Sequence, residues 1–119
     1  MAFDGEVTVG MAYGYPLTAN TGWWDTLTEP VPEELRHEDG NRTFGLFEPA
    51  VRPAWRRRGV AGEMHRALVN GLDNQRVMLN SRSEATAAQA AYRAWGYRQV
   101  GTAIPWEGAA DHDVLVLEL

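Results

Sequence analysis

Val51-Arg52-Pro53-Ala54-Trp55-Arg56-Arg57-Arg58-Gly59-Val60-Ala61-Gly62 decides how the chain is read. An extended apolar segment runs into three arginines, a glycine marks a turn, and a helix opens. A helix start leaves backbone N–H groups without partners and carries partial positive charge, so it attracts phosphate. Gly59 lets the backbone approach an anion closely, and small Ala61 and Gly62 keep side chains out of the way. The stretch therefore reads as a strand-to-helix cradle for a pyrophosphate. Taken alone, the arginines read equally well as a solvated basic turn.

Downstream, Val60, Met64, Leu68 and Leu72 recur every four residues, which predicts a helix over Gly59–Asn70 ended by Gly71. Arg76–Asn80 is a short, mostly apolar strand. Ser83 and an alanine-rich run to Trp95 form a second helix, stopped by Gly96. Tyr97–Ile104 and Asp113–Leu119 are the last two strands. Upstream, Thr43–Val51 is a strand in which Pro49 marks a bulge or interrupted pairing. Glu6–Gly14 alternates Val7, Val9 and Met11 with small or polar residues, as a strand does. Between these two, Leu17–Asn41 shows no sustained period and reads as a long loop with a helical turn at Pro32–His37. A loop of that length in a compact domain usually serves a function.

The predicted architecture is α/β: a mixed, mostly antiparallel sheet around a central parallel strand–helix–strand unit. The cradle lies at the C-terminal end of a strand, the usual ligand edge of such sheets. The 119 residues make a single domain, residues 1–119. Zero cysteines remove thiol catalysis and Cys-ligated zinc, and Asp111-His112-Asp113 lacks further ligands at a recognisable spacing, so no metal is expected. The net charge of -5 argues against nucleic acid as the partner. No apolar run predicts a membrane span, and the N-terminus lacks a basic-then-apolar signal, so the expected compartment is the cytoplasm.

The motif residues resemble the GNAT-type N-acetyltransferases. Arg56-Arg57-Arg58-Gly59-Val60-Ala61 matches that family's acyl-CoA signature, R/Q-x-x-G-x-G/A, and follows a strand ending in Ala50-Val51-Arg52-Pro53. Ala88-Gln89-Ala90-Ala91-Tyr92-Arg93-Ala94-Trp95-Gly96-Tyr97 is similar to the family's A-x-x-x-Y-x-x-x-G-F block. The resemblance implies transfer of an acetyl group from acetyl-CoA, as co-substrate, to a primary amine of a small molecule or peptide. It implies that backbone N–H groups from Arg57 to Gly62 hold the pyrophosphate of the coenzyme. It also implies that Ala50 and Val51 pair with the pantetheine arm. Tyr92 matches the tyrosine that acts as general acid toward the departing thiolate, chemistry a phenol suits at neutral pH. As a residue alone, Tyr92 reads as a core tyrosine.

The attacking amine must be neutral, so a base is required. Glu48 is the first candidate, beside its plainer reading as an exposed strand carboxylate; His37 and His112 are weaker ones. In relatives the long loop lies near the acceptor, so Trp23, Trp24 and the acidic residues Asp25, Glu29, Glu33, Glu34, Glu38 and Asp39 suit a cationic amine. The plainer reading is a solvated acidic loop anchored by two buried tryptophans.

The chain departs from the family pattern at Ala85, where an asparagine is common, and at Pro49, which has no N–H. It also opens at what would be the family's third strand. That start leaves Val7–Gly14 as an edge strand, with two expected outcomes: a homodimer that completes the sheet, or a longer natural chain. The alternative from another functional class is an acyl-CoA-binding or structural relative without catalysis.

Overall fold

A computed structural model describes residues 2–4, 7–51 and 60–119. The stretch from Arg52 to Gly59, with the candidate phosphate-cradle residues Arg56, Arg57, Arg58 and Gly59, lies outside the described residues. In chain order the elements are β1 (Ala2–Asp4), β2 (Val7–Pro16), a 3-10 turn (Trp23–Thr26), α1 (Glu33–Arg36), β3 (Thr43–Val51), α2 (Val60–Asn70), β4 (Arg76–Arg82), α3 (Thr86–Ala94), β5 (Arg98–Ala103) and β6 (His112–Glu118). The six strands form one sheet in the order β1-β2-β3-β4-β6-β5. Among the described strands only β3 and β4 are parallel, joined through α2, as the strand–helix–strand pattern predicts. The short helix at Glu33–Arg36 falls inside the helical turn expected at Pro32–His37.

Each face of the sheet covers a core. On the helix face, Phe44 and Leu46 of β3, Val77 and Leu79 of β4 and Leu115 of β6 pack with Tyr92 and Tyr97 under α2 and α3. On the other face, Met78, Val114 and Val116 pack with Leu17 and Trp24 from the long loop. The alternation of Val77 and Leu79 against Met78 is the two-residue period of a strand buried on both sides. The loop is thus the second layer of the domain.

Three local details follow from residue chemistry. The β2–β3 register passes from Met11 opposite Ala50 to Tyr13 opposite Phe47, so Glu48 and Pro49 together face the single residue Ala12. That is a β-bulge in β3, where the prolyl nitrogen has no hydrogen to give the ladder. At the end of α3, Gly96 takes φ 104°, and the N–H groups of Gly96 and Tyr97 donate back to the carbonyls of Arg93 and Tyr92. Only a glycine adopts this left-handed geometry without strain, and two orphan carbonyls are satisfied by it. The start of α3 differs from expectation: the cap position is Ala85 with no side-chain hydrogen bond. The Ser83 hydroxyl donates instead to Asp113, 2.7 Å away on β6, so a cross-strand acceptor wins over the helix end.

The edge expected along Val7–Gly14 is also modified. Ala2, Phe3 and Asp4 pair with Gly10, Thr8 and Val7, so β1 covers the first half of β2. At the opposite edge the long loop returns to β5. Leu27 bridges Ala103, the Thr28 N–H donates to Thr102 O at 2.8 Å, and the Ile104 N–H donates to Thr26 O at 3.0 Å.

Candidate active site

The site begins where two parallel strands part. β3 and β4 pair at Thr43–Arg76, Phe44–Val77 and Gly45–Met78, and among the described residues no β3–β4 pair follows. Beyond that point β3 continues to Val51 along β2, and β4 continues to Arg82 along β6. The strands therefore diverge at their C-terminal ends, leaving one side of β3 from Leu46 to Val51 without a ladder. Ala50 and Val51, expected to pair with an extended ligand, lie on this unladdered stretch. Val60, Ala61 and Gly62 form the first turn of α2, whose N–H groups have no intrahelical partners. Glu48 sits in the bulge of the same strand.

A cavity of about 500 Å³ enters the divergence from the loop face. Leu46 and Asn80, just past the last pair, line it together with Trp23, Trp106 and His112. Leu46 belongs to the helix-side core as well, as a cavity reaching into the gap between strands requires. His112 is 8% exposed, and its Nδ1 lies 2.8 Å from Ala110 O. A carbonyl only accepts, so Nδ1 carries the hydrogen and Nε2 of the neutral ring keeps its lone pair. The Trp106 ring stands 5.7 Å from that imidazole.

Trp23 forms the inner wall. Its backbone N–H donates to Thr21 Oγ1 at 3.3 Å, its carbonyl accepts from Thr26 Oγ1 at 2.7 Å, and its indole Nε1 donates to Asn80 Oδ1 at 3.2 Å. The ring lies on Gly45, where an added Cβ would come within 2.5 Å of Trp23 Cζ3. The neighbouring Trp24 points its chemistry elsewhere. It is buried, and its Nε1 donates to Glu38 Oε2 at 2.8 Å.

Tyr92 lies 4% exposed in the helix-side core, in one cluster with Leu46 and Leu79, the first residues after the split. Its ring meets Trp95 and Tyr97 edge-on, at 5.6 and 5.7 Å. It is a core tyrosine, and it sits beneath the divergence. Sequence reasoning missed its neighbour His65. That imidazole is 6% exposed, stacks on Trp95 at 4.7 Å, and has Nε2 2.7 Å from the Tyr97 hydroxyl. Burial pushes His65 below its ordinary value and the Tyr97 phenol well above its own, so Tyr97 donates to a neutral imidazole. The helical spacing from Val60 placed position 65 beside the apolar stripe, but a histidine there carries no local sign of its partner.

The acidic residues of the loop do not gather at the cavity. Asp25 pairs with Arg36 at 2.7 Å, Glu38 is buried against Arg76 at 3.1 Å, and Asp39 accepts from the N–H groups of Asn41 and Arg42. Those two backbone donors, Asn41 first, hold the Asp39 carboxyl below the usual carboxylate range. None of the six acidic residues lines the cavity. The loop is anchored through Trp24 and Glu38, which corrects the plainer reading: of its two tryptophans only Trp24 is buried, and Glu38 is a buried carboxylate rather than a solvated one. His37, the other weak base candidate, is exposed and outside the cavity lining.

The fold recurs in solved structures. The chain superposes on a GNAT-family acetyltransferase from Streptococcus agalactiae with a TM-score of 0.73 at 15% identity, over 93% of this chain and 59% of that one. It superposes on Arabidopsis thaliana NAA60 in complex with acetyl-CoA with a TM-score of 0.71 at 16% identity, over 99% of this chain and 71% of that one. The complex of NAA60 with a bisubstrate analogue matches at 0.68 and 18% identity, over 92% of this chain and 64% of that one. The fold is that of the GNAT-type acetyltransferases. The chain spans about three fifths of the length of the Streptococcus agalactiae protein. No protein-family model matches it, and no curated protein matches it in sequence.

Proposed function

We propose that the protein is an acetyl-CoA-dependent N-acetyltransferase that acts on a primary amine by direct attack. The observation that carries this reading is the parting of β3 and β4 after Gly45 and Met78, with a helix start on one side and a cavity on the other. The open side of β3 suits an extended arm hydrogen-bonding to Ala50 and Val51. The first turn of α2, Val60 to Gly62, with the preceding Arg56, Arg57, Arg58 and Gly59, suits a pyrophosphate. The solved relative with acetyl-CoA bound shares this fold, which supports the choice of co-substrate.

In the reaction, the amine nitrogen attacks the thioester carbonyl, a C–N bond forms and the C–S bond breaks. The nitrogen loses one proton and the thiolate gains one, so the products are an amide and the free thiol. Two groups are candidates to accept the nitrogen's proton: Glu48, in the bulge of β3, and His112, whose Nε2 lone pair is available in the neutral ring. Tyr92 is the candidate donor to the thiolate. Calorimetry tests the cofactor assignment: acetyl-CoA binding is expected in the parent and lost in Gly59→Trp. Thiol release with a panel of amines tests the reaction. Release that falls at least about tenfold in Tyr92→Phe supports the donor role; normal turnover in that variant removes it. Binding without release with any amine leaves a coenzyme-binding protein and refutes the enzyme.

A further inference from the structure

The cavity off the β3–β4 divergence has a wall fixed from several directions. Thr21, Thr26 and Asn80 all line it, and each of the three is hydrogen-bonded to Trp23. The Trp23 ring is seated on Gly45, the last β3 residue paired to β4. Three of the cavity's polar side chains are thus committed to Trp23, Thr21 and Thr26 to its backbone and Asn80 to its indole. A second indole, Trp106, is 64% exposed at the mouth. Among the described lining residues there is no Asp, Glu, Arg or Lys. The loop carboxylates that would serve a cation are engaged elsewhere or lie outside the lining.

We infer that this cavity is the acceptor subsite and selects a primary amine carried on an aromatic or similarly flat apolar body, with Trp23 as the selecting wall. The inference rests on the acetyl-transfer reading for the fate of the amine, but not for its binding. Three physical arguments support it. Offset or edge-on ring contact with a fixed indole favours a flat apolar partner and loses little entropy, because the wall is already ordered. A lining without carboxylates disfavours a bound ammonium, which lowers the amine's pKa toward the neutral, nucleophilic form. A polyamine or basic peptide would bring further charges into the cavity without partners. The volume also suits a small molecule, since such sites run roughly 300–1,000 Å³.

The test compares 2-phenylethylamine, propylamine and spermidine. Binding to the full chain is measured by calorimetry, with and without saturating coenzyme A, and thiol release is measured in parallel. Phenylethylamine is expected to bind at least about tenfold tighter than the other two. Trp23→Ala should remove that preference, and Trp106→Ala should reduce it. Trp106 lies at the exposed mouth, so its variant keeps the test valid if Trp23→Ala fails to fold. Equal or tighter binding of spermidine or propylamine overturns the inference, as does a preference untouched in both variants, or no amine binding under either condition. Thiol release with all three amines alike sinks the selectivity and keeps the enzyme. Preferential binding without release sinks the enzyme and keeps the subsite.

Discussion

Where β3 and β4 are paired, around Thr43 and Arg76, buried charges face each other; past Gly45 and Met78 the strands have parted and the nearest polar groups hold a tryptophan. At the paired end, Glu38 Oε2 accepts from the Trp24 indole, the Thr43 hydroxyl and Arg76, while Arg76 Nε donates to Thr43 Oγ1 at 2.7 Å. The guanidinium also lies 5.3 Å from the centre of the Trp24 ring. Both charged side chains are 1% exposed, and burial pulls the Arg76 pKa down. At the parted end, Asn80, Thr21 and Thr26 carry no charge, and they position the Trp23 ring and backbone. One end is closed by polar groups that pair with each other, Glu38 Oε1 alone of that carboxylate being left without a hydrogen bond. The other is kept open by polar groups that satisfy a wall. Adjacent tryptophans thus have separate duties: Trp24 locks the loop to the sheet, and Trp23 shapes the space beside it.

Breaking the closed end should have the largest effect. Glu38→Ala strands a buried guanidinium, and a loss of about 3–5 kcal/mol in denaturant-unfolding stability is expected. Glu38→Gln, which keeps an acceptor for the Trp24 indole, should lose less. A loss within experimental error in Glu38→Ala would mean that the pair does not hold the loop. Gly45→Ala attacks the junction of the two ends: the new Cβ would lie 2.5 Å from Trp23 Cζ3 and 2.9 Å from Leu17 Cδ2. Overpacking of this kind costs about 1–3 kcal/mol. Near-ultraviolet circular dichroism should report the displaced indole, and amine binding should weaken with it.

The helix face supplies a pH-dependent contrast. His65 is buried neutral, with its folded pKa below the ordinary 6.5, so the unfolded chain binds its proton more readily. Its contribution to stability is therefore complete above the unfolded value and declines as pH falls below about 6.5 toward the folded pKa. Chemical denaturation across that range should show the slope in the parent and a flatter profile in His65→Gln. An unchanged profile would assign the slope to other groups. The smallest effect is expected at Ser83→Ala, which removes an exposed hydrogen bond to Asp113 and should cost no more than about 1 kcal/mol in the same assay.

The features legible in the sequence are those with a local cause. The four-residue stripe of α2, the glycine that ends α3, the bulge at Pro49 and the parallel unit around α2 each follow from neighbours within a few positions. The features that were not legible join distant residues. Glu38 meets Arg76 across 38 positions, and Trp23 meets Asn80 across 57. No periodicity marks such partners, because a side-chain hydrogen bond depends on where the fold brings two atoms. The same cause explains Ser83: as a local sequence it reads as a helix cap, and the arrival of Asp113 on β6 gives its hydroxyl another acceptor. The acidic composition of the loop was visible, but its direction was not, since two of its carboxylates turn to arginines of the fold rather than to the cavity.

The return of the long loop to β5 has a mechanical consequence. Thr26 accepts the Ile104 N–H three residues after Trp23, and Pro105 and Trp106 follow Ile104 directly. Trp23 and Trp106, which both line the cavity, are thereby linked through one short span of backbone. The Ile104 and Thr28 amides, which tie the loop to β5, should accordingly exchange with solvent in step, and slow together when an amine fills the cavity.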